Sequence, residues 1–366
     1  MHIVHTIATL GKSAGGPSYM VAQMCNYLAS LGHRVTILTN DAERGVDDMC
    51  DLDGRVVRIN ARGSQIDVAL AKLVLEQHVD ILHTHGLWLP VNRATTRAAR
   101  RVRCNLIWSL HGMLRPWAMN HKCWKKKLAW WLFQRRHLTS ASMIHTTSED
   151  EAEEFRKLHL QVPQTTIPIG IGLPSLRDYE IKECDKNYIL FLGRLHPVKG
   201  LMNLVEAISE LRPEGWHCLI AGPDEGGYRA VLEARIRDLG LGEWFSFLGR
   251  VSGINKEKLI LKSTFVILPS FTENFGVVVP EALSYHRPVL ATRATPWSTL
   301  PKLGCGWSID VGAKPLAMQL KAIFEMDRET FETMGKKGRL YVETAFCWKA
   351  IAKRFAEIYQ IELANK

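Results

Sequence analysis

No stretch of this 366-residue chain reaches about 18 consecutive apolar residues, so the sequence offers no candidate for a membrane-spanning helix. The opening MHIVHTIATL has no basic stretch ahead of its apolar residues, and it is expected to form a first strand, not a signal peptide. Eight cysteines lie scattered without the paired spacing of a metal site, which suits reduced thiols in a cytosolic protein. Acidic residues are missing altogether from 81 to 148, where twelve Lys and Arg give +12 against +10 for the whole chain. The familiar nucleotide loops are missing too. Gly11-Lys-Ser leads towards Gly15 and Gly16, but a Walker loop needs a glycine where Thr6 stands, and no G-x-G-x-x-G occurs.

What is present is a regular alternation of strand and helix patterns with 46% hydrophobic residues, enough for two packed cores. That alternation points to an α/β protein with parallel sheets. The chain is organised around 263–296, where the buried-strand run Phe265-Val-Ile-Leu268 is closed by Pro269 and Ser270. A loop with Glu273, Asn274, Phe275 and Gly276 follows, and a helix then starts between Gly276 and Pro280 with Glu281 in its first turn. Amides around Asn274 to Val278, Val277 among them, can face an anion there, and the carboxylates can accept hydrogen bonds from sugar or ribose hydroxyls. Taken alone, the two glutamates read first as ordinary loop and first-turn carboxylates, and the surroundings reverse that reading. Upstream, the strand Tyr188–Leu192 runs into Gly193-Arg-Leu-His-Pro-Val-Lys-Gly200, which sets Arg194 and Lys199 on a strand-to-helix turn able to grip a diphosphate.

Arg194 and Lys199 in GRLHPVKG, followed by Glu273 and Glu281 in ENFGVVVPE, resemble the retaining nucleotide-sugar glycosyltransferases of family four. The paired Gly15 and Gly16, HGM at 111–113, AGP at 221–223 and LGRV at 248–251 extend the similarity over essentially the whole chain. The resemblance implies the GT-B fold, two facing Rossmann-like domains with parallel sheets and a C-terminal crossover helix. The domains are expected at 1–166 and 167–347, with 348–366 packing back on the N-terminal domain. It implies a UDP- or GDP-sugar as donor and no metal. Arg194 and Lys199 would neutralise the leaving diphosphate, Glu273 would bind the donor sugar and Glu281 the ribose. His111 would project towards the donor sugar. Gly15, Gly16, Gly222, Arg250 and Val251 would complete the donor side. Glu273 is not expected to act as a covalent nucleophile; departure and attack on one face, with the leaving phosphate helping to deprotonate the acceptor, is the expected course.

The acceptor side is expected from His85 and Trp88, which follow the strand Ile81–His83 at its ligand-facing end, and from Trp117. Loop packing is the alternative for both His85 and Trp88, and a metal at His83 and His85 lacks a visible third ligand. Six of the eleven tryptophans fall in the acid-free stretch. Trp124, Trp130 and Trp131 stand among Lys122, Lys125, Lys126, Lys127, Arg135 and Arg136. Segment 122–136 therefore reads as a partner for an anionic membrane surface, in preference to nucleic acid. An inward-packing helix with solvated charges is the other reading. HGMLRPWA followed by this helix is similar to members that assemble bacterial surface polysaccharides. The expected protein is a cytoplasmic hexosyltransferase, peripheral on the inner face of the cytoplasmic membrane, acting on a glycan or lipid-linked acceptor. A binding protein that kept the fold without its chemistry, or a phosphorylase or epimerase of the same fold, is the alternative.

Overall fold

The computed structural model describes residues 1–11, 16–41, 49–115, 123–175 and 187–365. They form two compact units, one of Met1–Gly170 with Trp348–Lys366 and the other of Ile171–Cys347.

In the first unit, strands β1 (His2–Ile7), β2 (Arg34–Thr39), β3 (Val56–Asn60), β4 (Ile81–His85), β5 (Asn105–Ser109), β6 (Met143–Thr146) and β7 (Gln164–Thr166) form one sheet. Their order is β3-β2-β1-β4-β5-β6-β7, with parallel pairing throughout these strands. Parallel neighbours need crossover connections, which helices such as Gly16–Ser30 and Pro90–Val102 provide. Helices on both faces bury the sheet, so β1 is buried at every residue. This strand stops at Ile7, short of the expected Leu10, and Thr9 and Gly11 already form a local turn.

The two faces of this sheet are lined differently. On one, Thr6 Oγ1 donates to Thr84 Oγ1 at 2.9 Å and pairs with Thr95 Oγ1 at 2.8 Å. On the other, register places His5 beside His83, His85 beside Ser109, and Ser109 beside His145. Helix Trp348–Ala364 covers that histidine face with Phe355 and Tyr359, both buried. Its first residue stacks on Tyr27 with ring centroids 6.1 Å apart. Gly170 admits the Trp348 ring, because a Cβ there would lie 2.3 Å from it.

The second unit holds β8 (Asn187–Leu192), β9 (Trp216–Ala221), β10 (Phe245–Gly249), β11 (Phe265–Leu268), β12 (Val289–Thr292) and β13 (Gly306–Ile309). They too pair in parallel, in the order β10-β9-β8-β11-β12-β13. Phe191, Phe265, Trp216 and Trp307 form its core with Leu204 and Ile208 of helix Leu201–Leu211 and Leu316 and Leu320 of helix Ala313–Phe324. In both sheets the strand order reverses once, between β1 and β4 and between β8 and β11. At such a reversal the following loops diverge to opposite faces and leave a crevice beyond the strand ends, where ligands of doubly wound sheets bind. Among the described residues, no helix is long and apolar enough to cross a membrane.

Candidate functional site

The reversal in the second sheet brings together the loops that follow β8 and β11. His196 caps a short turn, Pro197–Lys199, by accepting the Val198 N–H at Nδ1, 3.1 Å away. Gly200 closes it in the left-handed region at φ 69°, and a Cβ there would come within 2.0 Å of the Pro269 carbonyl oxygen. Phe271 N–H donates across to Val198 O at 2.8 Å. With the loops stitched in this way, Lys199 Nζ meets Glu273 Oε1 at 2.5 Å, and Ser270 Oγ donates to the same oxygen at 2.7 Å. Both side chains are largely shielded, 15% and 11% exposed. A shielded pair of this kind gains little net stability, because losing water offsets the attraction. Its consequence is positional: the ammonium is held in one place.

Around this pair the structure sets the other donor-side candidates. Arg194 Nη1 lies 2.5 Å from Glu225 Oε2, but both side chains are about half exposed, at 52% and 46%, so the pair exchanges readily with an anion. Gly222 after β9 has φ 156°, and a Cβ there would sit 1.7 Å from Gly193 O, so glycine alone lets the two loops pass. Its N–H donates to Gly249 O at 2.7 Å, tying in the end of β10, beyond which Arg250 is exposed and Val251 half-buried. Helix Val278–Ser284 places Glu281 in its first turn, where Oε1 pairs with Lys256 Nζ at 2.6 Å. Phe275 turns its ring into the core against Trp297 and Phe346, so only the backbone of this residue remains for a donor. Gly276, at φ 74°, is pressed against Leu268 and Trp297, and Asn274 and Val277 flank these two on the same loop.

In the first unit, Gly16 opens helix Gly16–Ser30, and a Cβ there would meet nothing within 4 Å. Gly15 and Trp117 lie outside the described residues. Trp88 is half-buried at φ 69°, with its ring 6.4 Å from that of Trp130 and packed on the core. His85 corrects an expectation. It is 1% exposed, and its ring nitrogens are taken by His5 and His111, so it cannot touch an acceptor directly. The cause is the strand itself: His85 is the last residue of β4 and points into the sheet face, not out of the loop.

His111 sits on the turn after β5 at φ 53°, a strained conformation for a residue with a Cβ. Glu151, which the sequence did not single out, holds this turn. One carboxylate oxygen accepts the Gly112 N–H, and the other accepts Thr147 N–H at 2.7 Å and Thr147 Oγ at 3.0 Å. Burial pushes the Glu151 carboxyl up, while those donors and Arg115 pull it down. Ser148-Glu-Asp-Glu151 has the spacing of a helix start, and Ser148 Oγ accepts the Glu151 N–H at 3.3 Å. The pattern could not show that the glutamate would turn inward to another loop.

Register also supplies the third histidine that the His83/His85 spacing lacked. His5, His83 and His85 offer nitrogens within 4.8 Å of one another. Five of their six ring nitrogens are already hydrogen-bonded: to one another, to His111, to Tyr359 Oη at 2.7 Å and to Ser109 Oγ at 2.7 Å. Only His5 Nε2 has no partner among the described residues. A metal would have to displace these bonds to bind.

Comparison with known proteins gives the family and the fold. Residues 15–170 match the Glycosyl transferase 4-like domain, and residues 176–341 match Glycosyl transferases group 1. A D-inositol 3-phosphate glycosyltransferase of Nocardioides sp. is 23% identical, over 95% of this chain and 85% of that protein. Among solved structures, sucrose-phosphate synthase of Thermosynechococcus elongatus shares the fold with a TM-score of 0.78 at 20% identity, covering 100% of both chains. The Anabaena protein Alr3699/HepE, solved with UDP and glucose, gives a TM-score of 0.75 at 18% identity, covering 98% of this chain and 99% of its own.

Proposed function

The chain belongs to the glycosyltransferases with the GT-B fold, and from that premise we propose that it moves a hexose-type sugar from a nucleoside diphosphate donor to a hydroxyl acceptor, with retention of configuration and without a metal. The observation that carries this reading is the meeting of Lys199, on the same loop as Arg194, with Glu273 at the strand-order reversal of the second sheet. The donor's diphosphate would replace Glu273 and Glu225 as the partner of Lys199 and Arg194, and each cation would offset charge developing on the leaving group. Glu273, released from the lysine, would accept hydrogen bonds from the sugar, and Glu281 from the ribose. The UDP bound to the Anabaena neighbour supports a nucleotide donor, a UDP- or GDP-sugar.

The acceptor is a glycan or lipid-linked glycan of cell-surface polysaccharide assembly, reached at a membrane face. Helix Cys123–Ala129 and its continuation through Leu138 expose Trp124, Leu128, Trp131 and Leu132, at 66%, 51%, 82% and 59%. Their spacing of four, three and one places them along one helical stripe. Lys125, Lys127, Arg135 and Arg136 are exposed beside it, a composition that suits the headgroup region of acidic lipids. The deciding experiment measures nucleotide release from UDP- and GDP-sugars with a bacterial lipid extract, with inositol phosphate, and with no acceptor. Release that rises with the extract supports the reading. Release with inositol phosphate alone moves the acceptor to a soluble polyol phosphate. Phosphate-dependent cleavage, epimerisation, or nucleotide binding without release would replace it with the alternatives of the same fold.

A further inference from the structure

Two hydrogen bonds join three imidazoles in a row from the middle of β1 to the turn after β5. His5 Nδ1 lies 3.1 Å from His85 Nε2, and His85 Nδ1 lies 3.0 Å from His111 Nε2. Burial lowers His5 and His111 each to about 3 and His85 well below its ordinary value, so near neutral pH all three rings are uncharged. A neutral imidazole carries one N–H and one bare nitrogen. Each ring in the row must therefore donate on one side and accept on the other, and one proton's position sets the rest.

Only two arrangements satisfy both bonds. If the protons point towards His5, that ring accepts at Nδ1 and must carry its proton on Nε2, which is buried without a partner. If they point towards His111, His5 Nε2 is left as a bare lone pair. A buried N–H without an acceptor is the rarer and costlier of the two defects. The second arrangement makes His111 accept at Nε2 and carry its proton on Nδ1, the nitrogen outside the row. The turn that presents this ring is fixed separately, by Glu151 on the Gly112 N–H.

We infer that His5 and His85 are positioning residues that fix the proton of His111 on Nδ1, so that outside the row His111 presents a hydrogen-bond donor and not a base. A part for that donor in turnover rests on the proposed function; the proton's position does not. His83 stacks on His85 with centroids 4.3 Å apart, but its own nitrogens bind Tyr359 and Ser109, so it stands outside the row.

The test is long-range proton–nitrogen NMR on the full chain with 15N-labelled histidine, the His111 signals being assigned by their loss in His111→Gln. The native protein should show His111 with its proton on Nδ1 and a bare Nε2. His5→Phe removes the donor that anchors the row, and His111 should then show mixed tautomers. Turnover in nucleotide release should drop roughly tenfold to a hundredfold, with donor KM changed less than about threefold. His5→Asn, whose amide N–H can stand in for Nδ1–H, should restore both the tautomer and the turnover. Native His111 protonated on Nε2, or a tautomer unmoved in folded His5→Phe, would overturn the inference. Absence of turnover in the native protein would count against the proposed function and leave the NMR result standing.

Discussion

Lys199 and Arg194 meet their carboxylates under different conditions, and that separates what their variants should do. Lys199 is shielded and bonded to a glutamate that Ser270 also holds; Lys199→Ala should lower nucleotide release by at least about a hundredfold while the protein stays folded. Near-native release from a folded variant would remove Lys199 from the chemistry. Arg194 is held by Glu225 at the surface. Glu225→Gln should free the guanidinium and tighten UDP or GDP binding about two- to fivefold, the range in which exposed ion pairs fall; calorimetry showing weaker binding would place Arg194 outside the donor site. The placement of Arg194, Lys199, Glu273 and Glu281 after β8 and β11 was legible because glycines and prolines punctuate the ends of recognisable strands there. Their counter-charges Glu225 and Lys256 were not, since each comes from a separate loop or helix. His85 was placed on the correct strand end but in the wrong environment, because the sequence does not show which residue of a strand is the last to face the core.

At the scale of elements, the loop after β8 depends on a glycine that leaves no side-chain room. Gly200→Ala would force a Cβ into the Pro269 carbonyl at a positive φ. It should destabilise the second unit by about 2 kcal/mol or more, read as a lower urea midpoint. An unchanged midpoint would show that the two loops are not in contact there. The helix at 123–138 gives a second expectation. Trp124→Ser with Trp131→Ser should leave stability within about 0.5 kcal/mol, since both rings face solvent. The same pair of substitutions should reduce co-sedimentation with anionic vesicles several-fold. Equal binding by both proteins would leave the stripe without a lipid role. Alternating strand and helix made the fold class readable, because a buried parallel sheet demands continuous apolar runs. The histidine layer stayed hidden, since His5, Ser109 and His145 become neighbours only through the pairing of β1, β4, β5 and β6.

Over the whole molecule, those histidines make acid tolerance uneven. His5 and His111 are lowered to about 3 and His145 to about 4, from an ordinary value of 6.5, and burial lowers His83 and His85 well below that value too. Above pH 6.5 neither folded nor unfolded rings are charged. As pH falls below it, the unfolded chain takes up protons that the folded chain refuses, and each ring withdraws up to about 1.4 kcal/mol of stability per pH unit. Glu151, pushed upward by burial, acts in the opposite sense. The first unit should therefore lose thermal stability steeply between pH 6.5 and 4, and a level midpoint over that range would mean that water reaches these rings. The lid over them, helix Trp348–Ala364, is supplied by residues that follow the second unit, whereas Ile171–Cys347 forms one uninterrupted unit. During synthesis the segment made first is thus the one that must wait. Until Phe355 and Tyr359 have left the ribosome, the β4 histidines have no cover and His83 lacks its tyrosine, so the first unit cannot close its histidine face before residues 171–347 have been made.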